Sequence, residues 1–234
     1  MSINQDFLDK YIEFETFIRK RNSDKIQDKY HFNIFVDKEI NKNRVKWESY
    51  REIRNLLAHE HGIRKGMTVT GKLYQLFVED VNKVIHPQKA IDIAVPISKI
   101  YRVTRHQTMN TVIQTMLDKN YTCTPIVDER DIIEGIFSAH SLMLYFNTHQ
   151  QEILEDTSTI KVKDFEQFCS LYNNPDVVYK FVSRNTTVND IKDLFKENFN
   201  HTKRLEVIFI TNTGKPTEKV LALLTPWDLT KCSD

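Results

Sequence analysis

The spacing of apolar side chains divides the chain at Pro87. Upstream of it, Phe7, Tyr11, Phe14 and Ile18 recur at i, i+4, i+7 and i+11, which is one face of a helix over residues 3–21. Residues 34–61 read as a second, longer helical region carrying Trp47, Tyr50, Ile53 and Leu57, with Gly62 as a stop just beyond it. Residues 71–85 give a third helix, with Leu73, Phe77, Val81 and Val84 on one side and Pro87 at its end. No strand pattern of any length interrupts this part. The pattern predicts an all-α bundle over residues 1–88.

Downstream of Pro87, short β-branched runs alternate with helical spacing, and an internal repeat emerges. Val103-Thr-Arg-His-Gln-Thr-Met-Asn110 lines up with Val182-Ser-Arg-Asn-Thr-Thr-Val-Asn189. The register continues into two matching helical stripes. One is Met109, Val112, Ile113 and Met116; the other is Val188, Ile191, Leu194 and Phe195. Thr108 and Thr187 stand at the N-cap positions of these helices, and Thr187 with Asp190 has the spacing of a capping box. Strands follow at Thr124–Asp128 and Leu205–Ile210, then a turn and second strands at Glu134–Ser138 and Val220–Thr225. A further helix begins at Ser141-Leu142 and at Asp228-Leu229, so each unit reads β-α-β-β-α. Asn147 to Ser158, polar and acidic, reads as the linker between the units. Units this small bury little apolar surface alone, so the two are expected to pack on each other. The fold class is therefore α+β and multidomain: a helical bundle over 1–88, then an α/β pair over 89–234.

Composition narrows the functional classes. Hydrophobic residues make up 40% of the 234 positions, ordinary for a folded protein. The net charge of +1 gives no global pull toward DNA or a membrane surface. Five glycines are few for a glycine-rich nucleotide-binding fold. Cys123, Cys169 and Cys232 are odd in number and widely spaced, which speaks against a disulfide framework or a thiolate metal site. His59-Glu-His61 places two histidines too close for one helix face, so no metal site is expected. The polar start (MSINQDFLDK) and the lack of a long apolar run lead us to expect a cytoplasmic chain. Thr213-Gly-Lys-Pro-Thr217 lacks the upstream glycine of a P-loop and reads as a hairpin turn.

Two motifs carry chemistry. In the repeat, Pro125-Ile-Val-Asp128 and Gly135-Ile-Phe-Ser138 resemble the CBS domain family, and the resemblance covers about residues 91–146 and 159–231. It implies a tandem pair that senses an adenine nucleotide. The family closes each unit with a Ser or Thr near the phosphate and an Asp three residues on that holds the ribose hydroxyls. A carboxylate accepts from both hydroxyls of a ribose, and a hydroxyl at a helix start donates to phosphate. The second unit keeps both residues, Thr225 and Asp228, whereas the first keeps Ser138 but has Ser141 in the place of Asp. The resemblance thus implies one competent site, with Val182 and Leu205 as neighbours of the adenine and Arg184 or Lys203 reaching the phosphates. The second unit departs from the pattern where Glu206 replaces Pro and Ala222 replaces Gly. Thr225 and Asp228 are also residues that cap a helix start for purely structural reasons.

In the helical part, Arg54-Asn-Leu-Leu-Ala-His59 resembles the Arg-x4-6-His signature of HEPN domains. That resemblance implies a metal-independent ribonuclease whose active site is composed by two copies of the chain, with Arg54, Asn55 and His59 as its residues. Histidine transfers protons near neutral pH, and the planar arginine fork stabilises a charged phosphate. Between residues 41 and 65, Lys42, Arg44, Lys46, Arg51, Arg54, Arg64 and Lys65 outnumber Glu48, Glu52 and Glu60, a strip that suits RNA. An Arg and a His near a helix end also complement the helix dipole. The expectation is a homodimer in which AMP, ATP or a related di- or cyclic oligonucleotide regulates RNA cleavage. The alternative is a non-enzymatic sensor whose helical part docks a partner.

Overall fold

The structure is a computed structural model that describes residues 2–25, 32–58, 66–149, 159–171, 178–197 and 205–231. The chain forms two compact units, residues 1–87 and 88–234.

In the first unit, helix α1 spans Ile3–Arg21 and buries Phe7, Tyr11, Phe14 and Ile18, the face its spacing predicts. Ser2 caps it, its hydroxyl accepting from the Gln5 amide at 3.3 Å. The stretch from residue 34 is not one helix. A 3-10 turn at Ile34–Val36 leads into α2 at Lys38–Lys42, and α3 occupies Arg44–Ala58. Two short polar side chains explain the breaks. Asp37 adopts extended backbone angles, and its carboxylate accepts from the Glu39 and Ile40 amides at 3.0 and 3.3 Å. Asn43 leaves helical geometry at the end of α2, and its carbonyl accepts from Trp47 to restart the helix.

Asp37 is also the polar anchor of this unit. It is 4% exposed and takes Arg21 through two contacts, at 2.8 and 2.7 Å, and Asn22 at 2.7 Å. Burial alone would raise its pKa, but these donors outweigh it and hold the carboxyl below the usual range. Helix α4, Gly71–Ile85, starts on the Thr70 cap and buries Phe77 and Val81. The core is a chain of aromatic contacts: Phe7 on Phe77 at 4.3 Å, Phe14 on Trp47 at 4.5 Å, and Tyr50 against Phe77 at 4.8 Å.

The second unit holds two β-α-β-β halves of like order. The first has Val103, α5 at Met109–Lys119, β2 at Cys123–Val127, β3 at Ile133–Ser138 and α6 at Ala139–Thr148. The second has β4 at Val178–Ser183, α8 at Val188–Glu197, β5 at Leu205–Thr211 and β6 at Ala222–Leu224, closing with a 3-10 turn at Pro226–Lys231 instead of an α-helix. The opening strand of the first half shrinks to one parallel bridge, in which Val103 donates to the Pro125 carbonyl at 3.0 Å and accepts from Val127 at 2.9 Å. The Thr187–Asp190 capping box forms, with the Thr187 amide donating at 3.0 Å and Asp190 returning its amide at 3.2 Å. Thr108 has N-cap backbone angles, but its hydroxyl meets that of Thr111 and caps no amide.

The halves exchange their leading segments. Ala90 donates to Thr186 and Val188 to Gln88, so the leader of the first half lies on the second. Reciprocally, Met109 donates to Ile160 and Val162 to Gln107. The exchange extends to two strand edges. The short strand β1, Val95–Pro96, pairs antiparallel with β6, and Ser170 bridges to Gly135. α7, Glu166–Cys169, packs on β3. The larger sheet has the order β1-β6-β5-β4, and β2 pairs with β3 alone. A shared apolar cluster of Val127, Ile133 and Ile136 with Val207, Phe209 and Val220 seals the two halves together.

Candidate functional site

The end of β6 carries the strongest candidate. Thr225 leaves the strand, and Pro226, whose fixed φ suits a first helical position, opens the closing turn. Three residues on, the Asp228 carboxylate reaches back. Its Oδ2 accepts from the Thr225 amide at 2.9 Å and from the Thr225 hydroxyl at 2.9 Å, while the Asp228 amide donates to the Thr225 carbonyl at 3.1 Å. Asp228 is 5% exposed, next to Trp227 at 79%. In this state only the returning arm of a capping box forms: the Asp228 carboxylate is engaged by the Thr225 amide and hydroxyl, and the Thr225 hydroxyl itself donates to that carboxylate.

The first half builds the same corner without charge. Ser138 ends β3, and its Oγ accepts from the Ser141 amide at 3.1 Å with the two hydroxyls 3.0 Å apart. Both serines are buried. The neighbouring Cys169 thiol is pushed up to about 11 by burial, partly offset by a hydrogen bond from Ser141. Ser138 therefore sits where the repeat predicts, in a corner sealed by hydroxyls.

The strand registers revise how the halves match. In the first half Pro125 faces Ile136 and Thr124 faces Phe137; in the second Phe209 faces Leu223 and Ile208 faces Leu224. Phe209, not Glu206, is thus the counterpart of Pro125, and Asn212 answers to Asp128. Sequence matching missed this because the segment between α8 and β5 is four residues longer than its counterpart between α5 and β2. The only signal in the sequence was the run of apolar residues from Val207 to Ile210.

The same registers sort the expected neighbours. Val182 and Leu205 share the buried cluster with Ile208, Ala222 and Leu224, so both are core side chains of this half. Arg184 follows Ser183, which faces Thr211, and its amide donates to the Thr211 carbonyl at 2.9 Å. Thr225 follows Leu224, which faces Ile208. Thr211 and Ile208 are three steps of β5 apart, on the order of 10 Å at about 3.3 Å per residue, and Arg184 and Thr225 each lie one step beyond them in opposite directions. Arg184 is exposed at the opposite end of the sheet from Thr225 and Asp228 and does not join them. Lys203 lies outside the described residues.

In the helical unit, α3 presents Arg54 and Asn55; His59 lies outside the described residues. Arg54 donates to the Asn55 side-chain oxygen at 3.0 Å. Its guanidinium stands 4.0 Å from the Glu15 carboxylate and 5.8 Å from the centre of the Tyr11 ring, both on α1. The Arg54 side chain remains 34% exposed. The sequence reading missed Glu15, which is 39 positions away and acquires its place only from the packing of α1 on α3. Among the described residues no group of three His, Cys, Asp or Glu side chains could hold a metal ion. No helix among them is long and apolar enough to cross a membrane.

No curated protein matches the chain. Solved structures similar to it include CBSX2 in complex with AMP, at 17% identity and a TM-score of 0.43, covering 62% of this chain and 94% of that one. CBSX2 from Arabidopsis thaliana gives 17% identity and a TM-score of 0.42, with 62% and 93% covered. A CBS domain-containing protein of unknown function from Bacillus anthracis gives 13% and 0.45, with 64% and 95% covered. The model of the CBS domain matches residues 91–147, the stretch that holds Val103, α5, the β2–β3 hairpin and α6. That segment is the part of the chain that is similar to the CBS domain family.

Proposed function

We propose that residues 88–234 act as a CBS pair that binds an adenine nucleotide at Thr225 and Asp228, and that the bound nucleotide regulates RNA cleavage by the helical unit. The observation that carries the first part is the Asp228 carboxylate, 5% exposed and holding both the amide and the hydroxyl of Thr225. A ribose supplies two vicinal hydroxyls that take over those donations to the carboxylate. The Thr225 hydroxyl is then released to donate to a phosphate oxygen. Binding to this folded corner stabilises the chain by mass action, about 2.7 kcal/mol at a ligand concentration 100 times Kd.

The second part rests on Arg54 and Asn55 presented together on α3, with His59 following in sequence. Arg54 takes the phosphate and His59 transfers protons, in a site completed by a second copy of the chain. The nucleotide shifts the balance between active and inactive arrangements only by its difference in affinity for them.

The test is a melting series with AMP, ADP, ATP and a dinucleotide, run beside RNA cleavage in EDTA. Nucleotide should raise Tm for the wild type and leave Asp228→Ala unmoved, and cleavage should vanish in His59→Ala. A wild type that no nucleotide stabilises overturns the sensor, and one that cuts no RNA with any of them overturns the enzyme. A non-enzymatic sensor is the second reading. It is favoured by the engagement of Arg54 with Glu15 and Asn55 inside one chain, an arrangement that also suits a plain helix-packing role.

A further inference from the structure

Where the leader of the second half crosses β3, it leaves a crevice that neither the nucleotide corner nor the helical unit uses. Arg105, Ile126, Glu134, Val162, Lys163 and Glu166 line it, beside Gly135 and Cys169. Its volume is about 40 Å³, room for about three water molecules at about 10–15 Å³ each and far too little for a nucleotide. Glu134 lies four steps of β3 before Ser138, on the order of 13 Å at about 3.3 Å per residue, so the crevice is remote from the corner that closes this half.

The four charged side chains sum to zero, and both signs have capacity to spare. Arg105 donates to Glu134 through Nε at 2.6 Å. Its Nη2 stands 3.6 Å from the Glu166 carboxylate, beyond hydrogen-bond reach. The terminal edge of the guanidinium, the fork that takes a carboxylate through two parallel bonds, is therefore open. Both side chains reach solvent, Arg105 at 46% and Glu166 at 66% exposure, so the crevice can be entered. A plain anion arriving there meets two carboxylates, and a plain cation meets a guanidinium and an ammonium. A small molecule that carries both signs escapes either repulsion.

The duplicated framework gives an independent comparison. The Lys89 amide donates to Asp92 at 3.3 Å and the Lys161 amide to Asp164 at 2.8 Å, so the two leaders align and Lys163 answers to Ile91. Glu134 precedes Gly135 as Leu221 precedes its counterpart Ala222. The second half thus builds the same crossing with apolar Ile91 and Leu221, and the fold does not require charge at these positions. Partly exposed ion pairs also add little stability, so support of the fold does not account for the cluster.

We propose that this crevice binds a free α-amino acid with a short side chain. The carboxylate of the amino acid takes the open edge of Arg105 with help from Lys163, its ammonium takes Glu166, and its side chain rests on Ile126 and Val162. Bound in this way, it ties Lys163 and Glu166 of the leader to Arg105 of the first half and reinforces the exchange of leaders between the halves.

The experiment is an amide NMR titration of the full chain with glycine, L-alanine and L-serine, and with propionate and ethylammonium as probes that carry one charge each. We expect the three amino acids to shift the amides of Gly135, Lys163 and Ser170 saturably. The single-charge probes should bind about 10- to 100-fold more weakly, the worth of one charge-assisted hydrogen bond. Lys163 and Glu166 are exposed, so Lys163→Gln and Glu166→Gln should fold with an unchanged Tm and each weaken L-alanine by a similar factor. Asp228→Ala should bind L-alanine as the wild type does. Propionate or ethylammonium binding as tightly as L-alanine makes the crevice a plain anion or cation site and overturns the proposal. So does wild-type affinity in either folded variant, or the lack of a saturable shift at those amides with any of the three amino acids. Melting with AMP, run beside the titration, reads the nucleotide corner alone: a chain that takes L-alanine but no nucleotide loses the nucleotide reading and keeps this one.

Discussion

The two halves of the α/β unit follow one plan and end in different chemistry. Each half places a helix, an antiparallel hairpin and a pair of short polar side chains that closes the corner after its last strand. In the first half the cap is a serine pair with no charge, and in the second it is a threonine locked to a carboxylate. Either device satisfies the free amides at the corner, so the fold tolerates both. Only the carboxylate gives a sugar diol something strong to donate to. The duplicated framework is thus indifferent to which device closes the corner, and on the proposed reading only the second half would carry the nucleotide.

The leaders sharpen this contrast. Gly135 has no side chain because the leader of the second half runs across it, and a Cβ there would collide with the carbonyl oxygen of Cys169. The equivalent position in the second half is Ala222, facing the lighter crossing of β1. Gly135→Val should therefore have the largest effect, a loss of about 3 kcal/mol or more, at the upper end of the cost of overpacking. Ala222→Gly should cost only about 1 kcal/mol. Urea denaturation of the two variants reads the difference, and equal losses would mean that the leaders cross both halves alike.

Next comes an attempt to make the halves equal. Ser141→Asp puts a carboxylate where the second half has one, but Ser141 is 2% exposed and lies against the Cys169 thiol. A buried charge with partners incompletely arranged should lower stability by about 2 kcal/mol. A variant as stable as wild type would show that the first corner accepts the chemistry of the second. Removing the charge from the second half should cost less. Asp228→Ala loses a cap and leaves the Thr225 amide without its acceptor, about 1 kcal/mol by thermal unfolding without nucleotide. A loss several times larger would make Asp228 a keystone of the fold.

The smallest expected effect separates the two hairpins. Asp128 closes the turn of β2–β3, accepting from the Arg130 and Ile132 amides, both at 2.8 Å. Glu218 closes the turn of β5–β6, accepting from the Thr213 amide at 2.7 Å and its hydroxyl at 2.8 Å. These bonds, led by the Thr213 amide, lower Glu218 to about 2. A carboxyl depressed in the folded state stabilises the fold above its ordinary value of about 4.3 and stops doing so as pH falls from there toward 2. Any stability gap between wild type and Glu218→Gln at pH 7 should close over that window. A gap that persists at pH 2 would mean that the charge plays no part.

The sequence by itself determined the helices of the first unit, the order of elements in the second, and the repeat. These follow from local periodicity and caps, and periodicity is a property of neighbours in the chain: Phe7 to Ile18 and the Thr187–Asp190 box needed no distant partner. It overran at residue 34 because Asp37 interrupts the helix only with help from Arg21 and Asn22, far back in the chain. It also matched Glu206 to Pro125, because an insertion before β5 shifts the alignment while strand pairing fixes the true register. The candidate residues Thr225, Asp228, Ser138, Arg54 and Asn55 were legible as motifs. Tertiary structure decided which of the others could join them. Strand direction sends Arg184 to the far end of the sheet, and helix packing brings Glu15 and Tyr11 to Arg54. A site is a meeting of side chains remote in sequence, and such meetings are set by packing, which local spacing does not encode.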